Sequence, residues 1–176
     1  MNITGTLSAV RVGYGDSHVT IETDAGPREV VVLARSAVGG FSEGDGANTD
    51  RVRVAMGVVG EGPVPSRRFA GLGLEVGEQV GVDIGNPHLV GFVGSLAGID
   101  MGIVGPAVEA DSPSGLNVHL VHVIDDGRLE MVIWERGAGG TQACGSGACA
   151  AASAAFRTGL VGSVVDVAMP GGSAQV

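Results

Sequence analysis

A cysteine placed where a glycine-rich turn opens a helix can do acid/base or nucleophilic chemistry, and Cys144 holds such a position. The stretch Glu135-Arg136-Gly137-Ala138-Gly139-Gly140-Thr141-Gln142-Ala143-Cys144-Gly145-Ser146-Gly147-Ala148-Cys149 leaves a strand, crosses a loop and enters an alanine-rich helix. Free backbone N–H groups at a helix N-terminus, with the positive end of its dipole, favour thiolate over thiol; they are expected to draw the Cys144 pKa below the ordinary ~8.5. The same N–H groups can hold a carboxylate, and Gly145, Ser146 and Gly147 let a ligand approach the backbone. The competing reading is a structural cysteine, which suits Cys149 better because it lies inside the helix among alanines.

Two other chemistries compete for this segment. Gly145-x-Gly147-x-x-Ala150 with Asp166 about 20 residues on has the spacing of a dinucleotide-binding turn. That fold needs a buried apolar strand running straight into the turn, and 137–143 is a polar, glycine-rich loop. A disulfide framework is likewise unsupported, since the only cysteines are Cys144 and Cys149 in a chain read as intracellular.

The elements that must position Cys144 are short strands joined by tight turns. His18 to Thr23 and Arg28 to Ala34 flank Asp24-Ala25-Gly26-Pro27, while Asn117 to Ile124 and Leu129 to Trp134 flank Asp125-Asp126-Gly127; both read as hairpins. Further strands are expected at Arg51 to Met56, near Val80 to Ile84, at Leu89 to Val93 and at Val164 to Met169. Helices are expected at Asp100 to Glu109 and at Ser146 to Thr158, the second closed by Gly159. Its alanines suit a helix that a surrounding sheet approaches closely. The polar, glycine-rich stretch 36–49 marks a domain junction or a loop.

Composition removes several function classes. The 176 residues include 44% apolar types, enough for a core, and no apolar run approaches the roughly 20 residues that span a bilayer. Met1 to Val10 lacks a secretory pattern, so a cytoplasmic address is expected, with no membrane partner. A net charge of -9 with no basic run beyond Arg67 and Arg68 argues against nucleic acid. All ten basic residues are Arg, so a Schiff base, a pyridoxal anchor and a P-loop lysine are excluded.

The cysteine segment, together with Gly85-Asn86-Pro87-His88, Asn117 and the Pro170-Gly171-Gly172 turn, resembles the diaminopimelate epimerases in order and spacing from about Asp50 onward. The resemblance implies an α+β fold in which a β-barrel-like sheet wraps around a central Ala-rich helix. Residues 50–176 correspond to the C-terminal catalytic lobe without its last strands. Residues 1–49 correspond to the trailing hairpin of an N-terminal lobe whose own cysteine segment is not in this chain.

The implied activity is cofactor-independent epimerisation of LL- to meso-diaminopimelate, in lysine and peptidoglycan precursor synthesis, with neither cofactor nor metal. Two cysteines act from opposite faces of the substrate's α-carbon, and Cys144 is one of them. Glu135 and Arg136 contact the substrate, Asn86 and Asn117 bind its distal amino and carboxylate groups, Gly145 and Ser146 bind the α-carboxylate, and His88 lies near the reacting centre.

Taken singly, these residues have plainer readings: Asn86 before Pro87 is a common turn residue, Asn117 starts a strand, and Glu135 with Arg136 is a surface ion pair. Gly140 stands where many relatives carry an acidic residue, which spares a thiolate one repulsive neighbour. Since Cys149 is a poor second acid, the isolated chain is expected to be inactive and to need a complementing N-terminal lobe or a homodimer partner. The alternatives are a non-catalytic amino-acid-binding module, or a racemase or isomerase of another small substrate.

Overall fold

The computed structural model describes residues 18–21, 26–34, 51–65 and 69–176. The stretch 36–49 and the pair Arg67 and Arg68 lie outside them. The chain divides into two compact units between Gly57 and Val58. In the first, β1 (His18–Ile21), β2 (Arg28–Ala34) and β3 (Arg51–Val54) form an antiparallel sheet in that order. β3 belongs here because it pairs with β2, so the packing break lies beyond the expected junction.

The second unit is a mixed sheet with two helices. Its strands are β4 (Gly60–Glu61), β5 (Val76–Asp83), β6 (Pro87–Val93), β7 (Asn117–Asp125), β8 (Arg128–Glu135), β9 (Gly139–Gly140), β10 (Asp166–Met169) and β11 (Gly172–Gln175). They run β11-β10-β8-β7-β6-β5-β4, with β9 beside β8. The β6–β7 and β10–β8 pairs are parallel and the others antiparallel. The fold class is thus α+β. The barrel-like detail needs correction: the path is open, ending on β4 and β11, and these short strands do not pair with each other.

The two helices pack on opposite faces of the central strands, which explains why residues 88–92 of β6 and 117–121 of β7 are buried without a break. Successive strand residues alternate faces. Leu89, Val118, Leu120 and Trp134 pack with Met101, Val104 and Val108 of α1 (Met101–Glu109). By alternation His88, His119, Ile133 and Glu135 face the other way, toward α2 (Gly145–Arg157), which packs against β5, β6, β7, β8 and β10. Ala148, Ala150, Ala151, Ala152, Ala154 and Ala155 are all buried, as the close approach of helix and sheet requires.

Both helix ends follow from local chemistry. Asp100 caps α1 by accepting the Gly102 N–H at 2.8 Å. At the C-terminus of α2, Gly159 (φ 74°) adopts the left-handed conformation that favours glycine. There the Leu160 N–H reaches the Ala155 carbonyl and the Gly159 N–H reaches that of Phe156, which together make a Schellman closure.

Gly105 in α1 has no room for a side chain, because a Cβ there would overlap the Trp134 indole. That ring is tethered by its Nε1–H, which donates to Glu109 Oε2 at 2.7 Å. Alanine normally gains about 1 kcal/mol over glycine in a helix. Overpacking costs about 1–3 kcal/mol, so the steric term wins. Gly105→Ala should lower stability by roughly 1–2 kcal/mol in urea unfolding; a stabilised variant would contradict this packing.

Candidate active site

Cys144 is itself the N-cap of α2. Its backbone is extended (φ -143°, ψ 110°), and its sulfur accepts the Gly147 N–H at 3.3 Å, the place where Ser or Asp oxygen usually sits. The loop before it is held from behind by the turn between β10 and β11: the Gly171 N–H donates to the Gln142 carbonyl at 2.7 Å, and the Cys144 N–H to Met169 Sδ at 3.5 Å. The Pro170-Gly171-Gly172 turn therefore supports the loop. β9 lies within 137–143, and residues 141–144 follow it, so no strand runs straight into α2 as a dinucleotide turn demands.

Around the sulfur the surroundings are polar although Cys144 is 2% exposed. The thiol donates to Glu135 Oε2 at 3.2 Å, and Ser146 Oγ lies 3.5 Å from Sγ. Glu135 is aimed by Thr141, whose hydroxyl donates to Oε1 at 2.6 Å. The N–H groups of Gly145 and Ser146 have no acceptor among the described residues.

One sequence expectation is corrected here. The Cys144 thiol is pushed up from its ordinary value, chiefly by burial and further by the Glu135 carboxylate, while Ser146 and the Gly147 amide pull it down only in part. Removing the sulfur from water penalises the anion more than the Ser146 hydroxyl and the Gly147 amide relieve it. The site thus rests as a neutral thiol beside a carboxylate. Cys149 is half-buried, its thiol also raised by burial, with no partner set like that of Cys144.

The other predicted residues gather at the same end of the sheet. His88 and Asn117 are neighbours in the parallel β6–β7 register. Asn117 ties β7 to β6 and to the turn after β8: its Nδ2 donates to the Pro87 carbonyl at 2.8 Å, and its Oδ1 accepts the Arg136 N–H at 3.0 Å. The Arg136 guanidinium donates to the Ser114 carbonyl at 2.9 Å and makes no ion pair with Glu135 among the described residues. Asn86 Oδ1 meets His88 Nε2 at 3.0 Å.

Sequence reasoning missed His119 and Thr141. His119 is fully buried, its Nε2 2.8 Å from His88 Nδ1, and it stands against Gly147 in the first turn of α2. The available signal was period-2 alternation, which puts residue 119 on the same face as residue 117. For Thr141 the signal was a hydroxyl a short loop away from Glu135.

Burial pushes His88 down to about 4 from an ordinary 6.5, with Asp83 opposing and Arg136 adding to the shift. The native state therefore binds fewer protons than the unfolded chain between those values, so this stabilisation is complete above pH 6.5 and is lost as pH falls toward 4. At roughly 1.4 kcal/mol per pH unit, urea unfolding should show about 2 kcal/mol less stability at pH 5 than at pH 7. Equal stability would contradict a neutral buried His88.

Comparison with known proteins bears on this constellation. Residues 80–176 match the family model described as diaminopimelate epimerase. The chain is 42% identical over 104 residues to a diaminopimelate epimerase of Erythrobacter litoralis, covering 58% of this chain and 39% of that one. It is 45% identical over 100 residues to one of Sphingopyxis alaskensis, covering 56% and 37%. It is 40% identical over 149 residues to one of Stutzerimonas stutzeri, covering 78% and 54%. These matches span between about a third and a half of the relatives' length, from 37% to 54%. The matched region holds every residue of the site just described, from Asn86 to Ser146, and the chain belongs to the diaminopimelate epimerase family.

Proposed function

We propose that this chain supplies one face of a cofactor-independent epimerase site that interconverts LL- and meso-diaminopimelate. The observation carrying this reading is the Cys144 Sγ to Glu135 Oε2 contact of 3.2 Å at the N-cap of α2. A thiol hydrogen-bonded to a carboxylate can pass its proton in either direction without a cofactor. With the proton on Glu135, the Cys144 thiolate takes the α-proton, forming the S–H bond as the C–H bond breaks. The electron pair left behind spreads into the substrate's carboxylate, and an acid on the opposite face delivers a new proton to carbon.

An α-proton is very weakly acidic, so the developing charge must meet donors already aimed at it. The free Gly145 and Ser146 N–H groups suit that task at the α-carboxylate. Asn86 and Asn117 are assigned to the distal end of the substrate, Arg136 to a further substrate contact, and His88 to the side of the reacting centre. Asn117 already uses one amide proton and its oxygen within the protein, so it has one N–H left for a ligand. The opposite-face acid is assigned to a complementing N-terminal lobe. A thiol that must stay reduced suits the cytoplasm, and the reaction fits the synthesis of lysine and peptidoglycan precursors.

The test is exchange of the α-hydrogen of diaminopimelate in heavy water, with the chain alone and with an N-terminal lobe supplied from a relative. Exchange only with the supplied lobe is expected. No exchange in either case, with diaminopimelate still bound, would favour an amino-acid-binding module. Exchange of another amino acid alone would favour a racemase or isomerase of a different substrate.

A further inference from the structure

His119 is fully buried, yet its Nδ1 has no hydrogen-bond partner among the described residues. An apolar side chain of similar size would leave no such unpartnered nitrogen, so the histidine must do something that hydrocarbon cannot. Its other nitrogen shows what. Asn86 Oδ1 is a carbonyl oxygen and can only accept, so His88 carries its proton on Nε2, 3.0 Å away. A neutral His88 then has a bare Nδ1, and the proton in the 2.8 Å contact to His119 Nε2 must come from His119. The unpartnered Nδ1 of His119 is consequently a lone pair and not a stranded N–H. The reverse arrangement would strand a buried donor, which proteins rarely tolerate.

We propose that His119 is a positioning residue: its Nε2–H completes, opposite Asn86, the pair of hydrogen bonds that holds the ring of neutral His88, and its own ring spaces His88 from the first turn of α2 behind Cys144. The second part rests on Gly147, where a Cβ would come within 2.7 Å of His119 Cε1 and 3.0 Å of its Nε2. The two rings are stacked, with centroids 5.1 Å apart and planes 26° from parallel. A continuous chain therefore runs from Asn86 through His88 and His119 to the Cys144 cap. Burial, which pushes both imidazoles down, keeps the chain uncharged. The inference rests on the proposed function only for its kinetic consequence.

The experiment is nitrogen NMR of the histidine-labelled 176-residue chain in the wild type, His119→Gln and His119→Leu. In the wild type, His88 should show a protonated, pyrrole-like Nε2 and a hydrogen-bonded, pyridine-like Nδ1. His119→Leu should keep the His88 proton on Nε2, held by Asn86, but shift Nδ1 to the resonance of a pyridine-like nitrogen without a donor, and His119→Gln, whose amide N–H can replace the donor, should restore the hydrogen-bonded shift. A wild-type His88 protonated on Nδ1 overturns the proposal, and this outcome needs no variant to fold. An unchanged Nδ1 resonance of His88 in folded His119→Leu overturns it as well.

In the exchange-competent assembly, kcat for His119→Leu should fall about 10- to 100-fold with KM changed far less, and His119→Gln should regain most of it. A folded His119→Leu with unchanged kcat overturns the proposal. If the wild-type assembly shows no exchange while the tautomer pattern holds, the functional reading fails and the positioning role stands.

Discussion

Cys144→Ala should lower α-hydrogen exchange by at least about 10³-fold when assayed with a supplied N-terminal lobe, because no other group stands where Sγ meets Glu135. Cys144→Ser separates chemistry from architecture. A serine oxygen caps a helix at least as well as a sulfur, so the start of α2 should survive, whereas alanine should cost about 1 kcal/mol of capping. The serine hydroxyl is far less acidic than a thiol, so exchange should still be lost. Retained stability with lost exchange in Cys144→Ser is the expected pair of results. Exchange within tenfold of the wild type in either variant would remove Cys144 from the chemistry.

Gly147→Ala should have the second largest effect, and its sign runs against simple helix propensity. Alanine ordinarily gains about 1 kcal/mol over glycine inside a helix. Here the new Cβ would stand 2.7 Å from His119 Cε1 and 3.2 Å from Cys144 Cβ. His119 lies in the closed core between β6, β8 and α2 and cannot swing away, so the helix end must move. Overpacking of this kind costs about 1–3 kcal/mol. A displacement of the thiol approaching an ångström costs roughly 10²-fold in rate. Thermal unfolding and exchange measured on one preparation check both expectations; a variant as stable and active as the wild type would show that the first turn has slack.

Much of this site could be read from the chain itself, and the reasons are local. The turn into α2, its closure at Gly159 and the β7–β8 hairpin across Asp126 and Gly127 rest on residues whose backbone preferences act over a few positions. The clustering of Asn86, His88, Asn117, Glu135 and Cys144 followed from resemblance, and the strand register then brought His88 beside Asn117.

What the sequence concealed is non-local. β4, β9 and β11 are short, β9 is two glycines and β4 and β11 each begin on one; pairing with other strands makes them strands, not their own propensity. The open sheet follows from those same short ends. The protonation state of Cys144 could not be foreseen, because the helix terminus alone argues for a thiolate. Only the folded chain shows that burial and the Glu135 carboxylate oppose it. His119 was hidden in an apolar strand, where a histidine resembles any other core residue until its neighbours are known.

The account turns on Cys144 and Glu135 sharing a proton as an uncharged thiol and a carboxylate. The pH dependence of Cys144 alkylation, compared between the wild type and Glu135→Gln with Cys149 replaced by alanine in both, measures that sharing directly. The wild-type rate should rise only above the ordinary thiol range, and Glu135→Gln should shift the profile to lower pH, raising the rate at neutral pH several-fold while α-hydrogen exchange falls about 10²-fold or more. Superimposable profiles, or a wild-type thiol ionising at or below the ordinary range, would contradict it.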